Sequence, residues 1–320
     1  MTKPSLKDLE KEASAKADPG EALALLRRNL SEDPRKAARS LLRRYERRVE
    51  KRMKESARLE VLWRYERGAQ EKGARSVAGI DEAGRGPLVG PVVAAAVILP
   101  RDADLPGLDD SKKLTAQNRE RLHDAIRGLA EGVGVGQASA REIDEHNIYR
   151  ASQLAMERAV AALPRPPDHL LLDAMRLPSC SHIPQDRIVH GDALSASVAA
   201  ASIVAKVTRD RLLLELDAKF PMYGFARHKG YGTAEHLEAL RLHGPCPEHR
   251  RSFGPVAAVV GGVPDGAGFD YWKGRIEAAA DPEALEEAGR MIRVVGRKKM
   301  DPEDVQRLRD LYRKKREELS

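Results

Sequence analysis

The sequence predicts an α/β domain in the middle of the chain with a helical unit on each side. Between residues 77 and 264, short apolar runs alternate with longer segments of helical periodicity, which is typical of strands and helices that alternate along the chain. Before residue 76 the apolar residues recur only at every third or fourth position, which predicts helices alone. We therefore divide the chain into an N-terminal extension (1–75), a central domain (76–262) and a C-terminal extension (263–320).

The N-terminal extension is predicted to be helical from residue 5 to residue 73. Asp18-Pro19-Gly20 ends a first short helix. Ser31 is the expected N-cap of a longer helix, because a serine oxygen accepts hydrogen bonds from the free backbone N–H groups of a first turn. The apolar residues of that helix are spaced to form one stripe, expected to pack on the extension itself or on the central domain: Leu42, Tyr45, Val49, Met53, Ala57, Val61 and Leu62.

The positive charge of the chain is concentrated in this extension. Residues 1–76 contain 21 Lys and Arg against 13 Asp and Glu, whereas residues 77–264 contain 22 against 23, and the formal net charge of the chain is +7. Because phosphate contacts supply most non-specific affinity for nucleic acid, a basic appendage on a nearly neutral domain indicates an arm that holds a polyanion. A solvated helix face explains the same charge equally well, and the sequence leaves both interpretations open.

The central domain is predicted to contain five strands and four helices. The third strand contains three glycines, which weaken a strand, and a proline-rich segment at 164–167 precedes the fourth. The expected strands are 76–82, 91–99, 132–138, 168–173 and 186–189, and the expected helices are Thr115–Leu129, Asn147–Leu163, Ser195–Lys219 and Thr233–His243.

The C-terminal extension is predicted to be a second small helical unit after a glycine-rich joint at 262–268. Helices are expected over about 275–290 and 302–318, and Asp301-Pro302 is a good helix start because proline is tolerated at the first helical position. Tyr271 and Trp272 could stack on bases. An aromatic pair in a small helical unit is more often part of its core, and we favour that interpretation.

Composition argues against membrane and disulfide-rich classes. No apolar run is long enough to span a bilayer, and the N-terminus lacks the apolar stretch of a secretory signal. Cys180 and Cys246 lie far apart and form no Cys-x-x-Cys pair, so neither a disulfide framework nor a zinc site is indicated. A reducing cytoplasm is the expected location.

Four acidic residues follow apolar runs that are predicted to be strands: Asp81, Glu82, Asp173 and Asp192. Ligands of α/β domains gather where strands end, and a buried carboxylate is costly unless it is paired or binds a metal. An all-oxygen ligand set suits Mg²⁺ or Mn²⁺ rather than zinc. We therefore expect a site for two such ions, which together support in-line phosphoryl displacement. Taken singly, Asp173 as a strand-end cap and Asp192 as a turn residue are the simpler interpretations.

Asp81 and Glu82 are neighbours on the predicted strand, and this limits how both can reach one site. Neighbouring side chains of a regular strand point to opposite faces, so Asp81 and Glu82 reach one site only if the strand ends or bulges there. Gly84 and Gly86 make such a break easy. With Arg85 between them, these glycines also let the backbone approach a phosphate or sugar closely.

Six segments of the central domain together resemble, in order, the motifs of the ribonuclease HII family: Asp81–Pro87, Asp110–Leu114, Leu172–Ala174, Gly191–Ser195, Ala199–Asp210 and His228–Thr233. The resemblance implies a ribonuclease H-like fold, a mixed five-stranded sheet flanked by helices. It also implies hydrolysis of RNA in RNA–DNA duplexes and incision at single ribonucleotides embedded in DNA. The cut is expected on the 5′ side of the ribonucleotide and leaves 3′-hydroxyl and 5′-phosphate ends.

By position in these motifs, the resemblance implies that Asp81, Glu82, Asp173 and Asp192 form the catalytic metal-binding set. It implies that Gly84, Arg85 and Gly86 contact the 2′-hydroxyl, the group that distinguishes RNA from DNA. Arg85 also separates this chain from the sister type, ribonuclease HIII, which carries a different residue there. Tyr231 matches the tyrosine that stacks on the sugar after the ribonucleotide, and a turn aromatic packed under a glycine loop is the less favoured alternative.

Six further side chains are candidate phosphate contacts, each with a solvated cation as an equally good interpretation: Lys112, Lys113, Lys206, Arg209, His228 and Lys229. Lys206 and Arg209 lie three positions apart and are therefore expected on one face of a helix. Arg250 and Arg251 also resemble a family segment, with a less definite role.

The expected partners are RNA–DNA hybrid and ribonucleotide-containing duplex DNA, bound by a monomer without a membrane or an obligate protein partner. The N-terminal extension resembles one found on some bacterial members of the family, whereas the tail after about residue 264 matches no family role. One rival is a less selective nuclease of the same fold that ignores single ribonucleotides. The other is a nucleic-acid-binding protein without cleavage, and four acids facing phosphates argue against it.

Overall fold

The central domain is built on one mixed sheet. A computed structural model describes residues 5–260, 268–279 and 300–319, together with Pro282, Leu285, Glu286, Ala288, Gly289 and Ile292. The strands are β1 (Val77–Ala83), β2 (Val92–Ile98), β3 (Gly132–Ala138), β4 (His169–Asp173) and β5 (Gln185–Ile188), in the order β3-β2-β1-β4-β5. β2 is antiparallel to β1 and β3, whereas β4 is parallel to β1 and β5. The predicted mixed five-stranded sheet is confirmed.

The N-terminal extension is helical, as predicted, but its longest helix begins later than expected. The helices are α1 (Leu6–Ser14), α2 (Pro19–Leu30), α3 (Lys36–Leu62) and α4 (Arg64–Glu71). The prediction for Ser31 is wrong: Ser31 ends α2, and α3 starts only after Arg35. Proline disfavours helical geometry in the residue before it, so Pro34 keeps Asp33 out of the helix.

The apolar stripe predicted for α3 is also partly wrong. Met53 and Val61 are 68% and 62% exposed, because the helix changes packing partner along its length. Leu41 and Tyr45 pack with α1 and α2, whereas Leu59, Leu62 and Trp63 pack with β2 and with a helix of the central domain. The buried side of α3 therefore rotates between its two halves.

Helices cover both faces of the sheet. They are α5 (Ala116–Leu129), α6 (Ala140–Ala161), α7 (Gly191–Leu194), α8 (Ala196–Lys219), α9 (Phe225–His228), α10 (Ala234–His243) and α11 (Gly254–Val260). Ala95 and Val97 of β2 face α5 and α8, whereas Ala94 and Ala96 face α6. β2 is therefore buried on both sides, which explains its unbroken apolar sequence.

α6 begins two turns earlier than predicted. Ser139 and Glu142 form a capping box at its start, and Asn147 interrupts it with a φ of 66°. The Asn147 side chain accepts hydrogen bonds from the backbone N–H groups of Tyr149 and Arg150. The residue predicted to start the helix is thus a kink that is capped like a helix start.

The C-terminal extension contains α12 (Phe269–Glu277) and α13 (Pro302–Glu318). Trp272 is fully buried and packs with Ile276 and Leu308, so the interpretation as core is confirmed. The helix predicted over about 275–290 starts about six residues later than α12, which ends at Glu277. The predicted end near residue 290, like most of the joint at 262–268, lies outside the described residues. No helix in the described part of the chain is long and apolar enough to cross a membrane.

Candidate active site

The four predicted acids lie at one edge of the sheet, where β1, β4 and β5 end. Ile80 pairs with Leu172 in the parallel register of β1 and β4, which puts the next residues, Asp81 and Asp173, side by side. An Asp173 oxygen accepts a hydrogen bond from the backbone N–H of Gly191 at 2.8 Å. That bond draws the start of α7, and with it Asp192, to the end of β4. We call these four residues, Asp81, Glu82, Asp173 and Asp192, the carboxylate edge.

β1 has no bulge at the two acids and ends just after them. Its register with β2 stays regular through Ala83, one residue after Glu82. Gly84 then turns the chain with a φ of 93°, a left-handed conformation that other residues rarely adopt. β1 also extends beyond the last residue of β4, so both acids lie at the open edge.

Burial and mutual repulsion dominate the electrostatics of this edge. Asp81 and Asp192 are 4% and 5% exposed. Burial, followed by the charges of Glu82 and Asp173, raises the pKa of Asp81 well above its usual value. Burial also raises the pKa of Glu82, with Arg85 opposing, and raises that of Asp173 against the opposing bond from Gly191. The edge therefore favours a nearby positive charge.

Two cationic side chains supply part of that charge. The Arg85 guanidinium donates to Glu82 at 3.2 Å. The Lys112 ammonium donates to Asp192 at 3.2 Å and lies 3.9 Å from Asp110. Burial opposes the charged form of Lys112, but the hydrogen bond to Asp192 and the charges of Asp192, Asp110 and Asp81 outweigh burial and raise its pKa.

The donor set fits a divalent cation that prefers oxygen ligands. All four side chains are carboxylates, and the second carboxylate oxygen of Glu82 is buried without a hydrogen-bond partner. Within the described ranges, no three Asp, Glu, His or Cys side chains are already arranged as a metal site. A cation bound to Asp192 would take the place of the Lys112 ammonium, which now donates to that carboxylate.

The loop after β1, residues 84–91, lies beside the carboxylate edge; we call it the recognition loop. Arg85 is largely exposed. A Cβ atom at Gly84 would lie 2.0 Å from Nε of Arg209, so no larger residue fits there. A Cβ atom at Gly86 would lie 3.6 Å from the ring of Tyr231, which is 49% exposed. The exposed Tyr231 ring therefore lies beside the recognition loop.

Two of the six candidate phosphate contacts are wrong. Arg209 is only 1% exposed, and its guanidinium donates to the backbone carbonyls of Val89, Pro91 and Lys229. His228 is buried, and both of its ring nitrogens are already bonded, one to the Tyr223 carbonyl and the other to the Gly230 N–H. Both side chains are therefore buried and held by backbone groups, and neither is exposed to a phosphate.

The other four candidates keep some access to solvent. Lys112 and Lys113 are exposed, and Lys113 lies 3.3 Å from Asp109. Lys206 is half-buried and pairs with Asp210 at 2.7 Å, while Lys229 is half-buried. Their proposed contacts with phosphate stay predictions.

Sequence reasoning missed a buried histidine relay behind Tyr231. The backbone N–H of Cys246 donates to Nδ1 of His249 at 3.0 Å, and the Nε2 atoms of His249 and His236 lie 3.1 Å apart. Nδ1 of His236 in turn donates to the Tyr231 carbonyl at 2.9 Å. One proton per imidazole satisfies every bond, so both rings are neutral. Sequence spacing gave no signal for this relay, because its members come from the turn of Tyr231, from α10 and from the segment after α10.

Glu66 was missed for the same reason. It is 2% exposed, and one of its oxygens accepts hydrogen bonds from the Ser195 hydroxyl and from both the N–H and the hydroxyl of Ser197. These groups form the N-terminus of α8, three residues after Asp192. A carboxylate at a helix N-terminus is stabilising, so α4 of the extension holds the start of α8.

Comparisons with known proteins agree with this architecture. The family model described as Ribonuclease HII matches residues 78–256, and the model described as Ribonuclease HII N-terminal domain matches residues 7–70. A ribonuclease HII of Geobacillus kaustophilus is 59% identical over 231 residues, which cover 72% of this chain and 88% of the relative. A ribonuclease HII of Bacillus cereus is 51% identical, with coverage of 72% and 89%.

A solved structure shows the same fold. The crystal structure of ribonuclease H2 from Pyrococcus horikoshii matches with a TM-score of 0.50 and 28% identity, over 58% of this chain and 97% of that chain. The sheet order, the family matches and the relatives point the same way. The chain therefore belongs to the ribonuclease HII family, metal-dependent endonucleases that hydrolyse the RNA of RNA–DNA hybrids.

Proposed function

We propose that this enzyme incises DNA on the 5′ side of a single embedded ribonucleotide, in addition to cutting RNA in hybrids, and leaves 3′-hydroxyl and 5′-phosphate ends. The observation that carries this proposal is the position of the recognition loop. Its backbone at Arg85 and Gly86 lies between the carboxylate edge and the exposed ring of Tyr231. A 2′-hydroxyl held there is next to the carboxylates that carry out hydrolysis, so one ribonucleotide is enough for recognition.

Each group has a defined part in the proposed reaction. Asp81, Glu82, Asp173 and Asp192 would hold two Mg²⁺ or Mn²⁺ ions, which when bound activate water and stabilise the leaving 3′ oxygen. The recognition loop would orient the ribose through its backbone N–H groups, and Tyr231 would stack on the following sugar. Lys112, once released from Asp192, would be free to pair with a phosphate.

The direct test is a duplex with one ribonucleotide at a known position, incubated with Mg²⁺, with Mn²⁺ and with EDTA. We expect one metal-dependent cut on its 5′ side and none in the matched all-DNA duplex. Efficient cleavage of a long hybrid without incision at the single ribonucleotide would favour the less selective nuclease. Tight binding without cleavage of either substrate would favour the binding protein.

We also propose that the N-terminal extension holds the duplex by its phosphates. Four cationic residues lie on one exposed side of α3, at spacings of three and four: Lys36, Arg39, Arg43 and Arg47. We call this set the basic face of α3. Other cationic residues of the helix form ion pairs, such as Arg44 with Glu10 and Lys54 with Glu50.

Replacing Lys36, Arg43 and Arg47 together with glutamine should weaken duplex binding and reduce its dependence on salt. Each lost phosphate contact lowers the slope of log K against log salt by about 0.9, so up to three contacts lower it by about 2 to 3. The matched control removes three exposed charges from α13, at Arg309, Arg313 and Lys314. Equal slopes for the two triple variants would show that the basic face is a solvated surface.

A further inference from the structure

Two arginines lie buried beneath the recognition loop without a carboxylate partner. Arg250 and Arg209 are 0% and 1% exposed, and neither guanidinium forms an ion pair within the described ranges. Burial lowers the pKa of both groups, and the charge of Arg209 helps to lower that of Arg250 to about 9. Burying two unpaired charges close together is costly, so the structure must gain something specific from them.

The bonds of these arginines show what they hold. Arg250 donates to the carbonyls of Gly84 at 2.6 Å, Arg85 at 3.0 Å, Pro87 at 2.7 Å and Gly90 at 2.9 Å. Arg209 donates to the carbonyls of Val89 at 3.2 Å and Pro91 at 3.3 Å. The Leu88 carbonyl accepts the backbone N–H of Arg250 at 2.8 Å. Every carbonyl of the recognition loop except that of Gly86 is therefore bonded to one of these two residues.

Fixing these carbonyls also fixes the N–H groups of the loop. In a trans peptide, the carbonyl of one residue and the N–H of the next point in opposite directions. With the Gly84 and Arg85 carbonyls directed inward to Arg250, the N–H groups of Arg85 and Gly86 are directed outward. Neither N–H has a hydrogen-bond partner in the part of the chain that the structure describes. Two aligned donors therefore face the position proposed for the ribose.

Arg209 connects this loop to the turn that carries Tyr231. Its guanidinium also donates to the Lys229 carbonyl at 3.3 Å, two residues before Tyr231. Its side chain lies directly against Gly84, where a Cβ atom would be 2.0 Å from Nε. The donors of the recognition loop and the aromatic ring are thus held by one buried pair of side chains.

We propose that Arg250 and Arg209 are positioning residues for ribose recognition, which hold the carbonyls of the recognition loop inward so that the Arg85 and Gly86 N–H groups point at the 2′-hydroxyl. The part that concerns the hydroxyl rests on the proposed function. The bonds from the two arginines to the carbonyls of the recognition loop, which we call the clamp, do not depend on the proposed function. Charge alone is insufficient for this role, because an ammonium has three donors on one atom and cannot reach four separated carbonyls.

The test compares Arg250→Lys with Arg251→Lys, which keeps the same charge at the exposed neighbour. The first measurement is amide hydrogen exchange of the peptide that contains residues 84–91, in the absence of nucleic acid. Its protected amides are those of Leu88 and Gly90, which donate to the carbonyls of Gly230 and Glu248. We expect Arg250→Lys to speed exchange in this peptide at least about tenfold, as expected for the loss of about one hydrogen bond, and Arg251→Lys to leave it unchanged. Unchanged exchange in Arg250→Lys would overturn the clamp, whatever the enzyme cuts.

The second measurement is the binding preference for a duplex with one ribonucleotide over the same all-DNA duplex, with Asp81→Asn in every protein to prevent cleavage. We expect Arg250→Lys to reduce this preference about tenfold while binding to the all-DNA duplex stays within about twofold. Faster loop exchange with an unchanged preference would overturn the positioning role. If the Asp81→Asn protein itself does not prefer the duplex with one ribonucleotide, the proposed function is wrong and so is the positioning role. The hydrogen-exchange result then still decides whether the clamp exists. If Arg250→Lys does not fold, Arg209→Lys should give the same changes at a smaller size.

Discussion

Glu66 offers a sharp test of whether the N-terminal extension supports the catalytic domain. Replacing Glu66 with alanine removes the acceptor of three hydrogen bonds, from the Ser195 hydroxyl at 2.5 Å, the Ser197 N–H at 2.9 Å and the Ser197 hydroxyl at 2.5 Å. All three donors are buried at the start of α8. They are left without their acceptor, because alanine cannot replace the carboxylate.

The expected loss follows from these bonds. A hydrogen bond to a charged group contributes about 1.5–3 kcal/mol, but removing Glu66 also removes the cost of burying its second oxygen, which has no partner. The hydroxyls of Ser195 and Ser197 lie 3.4 Å apart and can partly satisfy each other. A net loss of about 1 kcal/mol per bond gives about 3 kcal/mol for Glu66→Ala.

Chemical unfolding of the full chain measures this loss. Glu66→Gln is the matched control, because its amide oxygen keeps an acceptor in place, and we expect it to cost about 1 kcal/mol. Glu66→Ala should also lower turnover, because Ser195, the N-cap of α8, lies three residues after Asp192. A loss within the roughly 0.5 kcal/mol typical of surface substitutions, or equal losses for the two variants, would refute the reasoning.

Three further predictions concern the site and its support. Asp81→Asn should abolish metal-dependent cleavage. In EDTA its melting temperature should be equal to or higher than that of the unchanged protein, because the substitution relieves repulsion between buried carboxylates, and a clear drop in melting temperature would contradict this account. Burial lowers the pKa of His249 from 6.5 to about 4, so as the pH falls between these values the unfolded chain binds a proton that the folded chain does not. The free energy of unfolding should therefore fall by up to about 3 kcal/mol over that range, and this fall should be absent from His249→Gln in urea titrations at several pH values; parallel curves would contradict it. Gly84→Ala should destabilise the protein by more than 1 kcal/mol, through its positive φ and the contact with Arg209, whereas Gly86→Ala, with its nearest atom at 3.6 Å, should not; equal midpoints would contradict this account.

The sheet could be predicted from sequence because its strands are buried apolar runs with clear ends. β3 was the weakest strand by propensity, and packing explains why it forms: a Cβ atom at Gly134 would lie 2.1 Å from the Ala159 carbonyl. The glycines that weaken the strand thus allow α6 to lie directly on it. The four acids were equally accessible to sequence reasoning, because the ends of neighbouring parallel strands meet at the same edge.

Which polar side chains face solvent could not be predicted in the same way. Spacing placed Arg209 on the same face of its helix as Lys206, but Arg209 is buried, as is every residue of α8 from Ala196 to Ala205. Periodicity cannot identify an outer face where a helix is covered all round, as α8 is over its first ten residues. The pairing of Lys112 with Asp192 joins residues 80 positions apart and depends on the folded chain alone.

The unbroken course of α3 has a consequence for how the enzyme gains from its extension. If a flexible linker joined the basic face to the central domain, its effective concentration near the bound duplex would depend on the length of that linker. α3 instead packs on the extension with its first half and on the central domain with its second half, so the distance between the basic face and the central domain is fixed. α3 has 27 residues and is therefore about 40 Å long, which corresponds to about 12 base pairs of duplex. If the proposed function is correct, binding affinity should rise abruptly with duplex length. Duplexes that reach from the cut site to the basic face are bound more tightly because of the extension, whereas shorter duplexes are not.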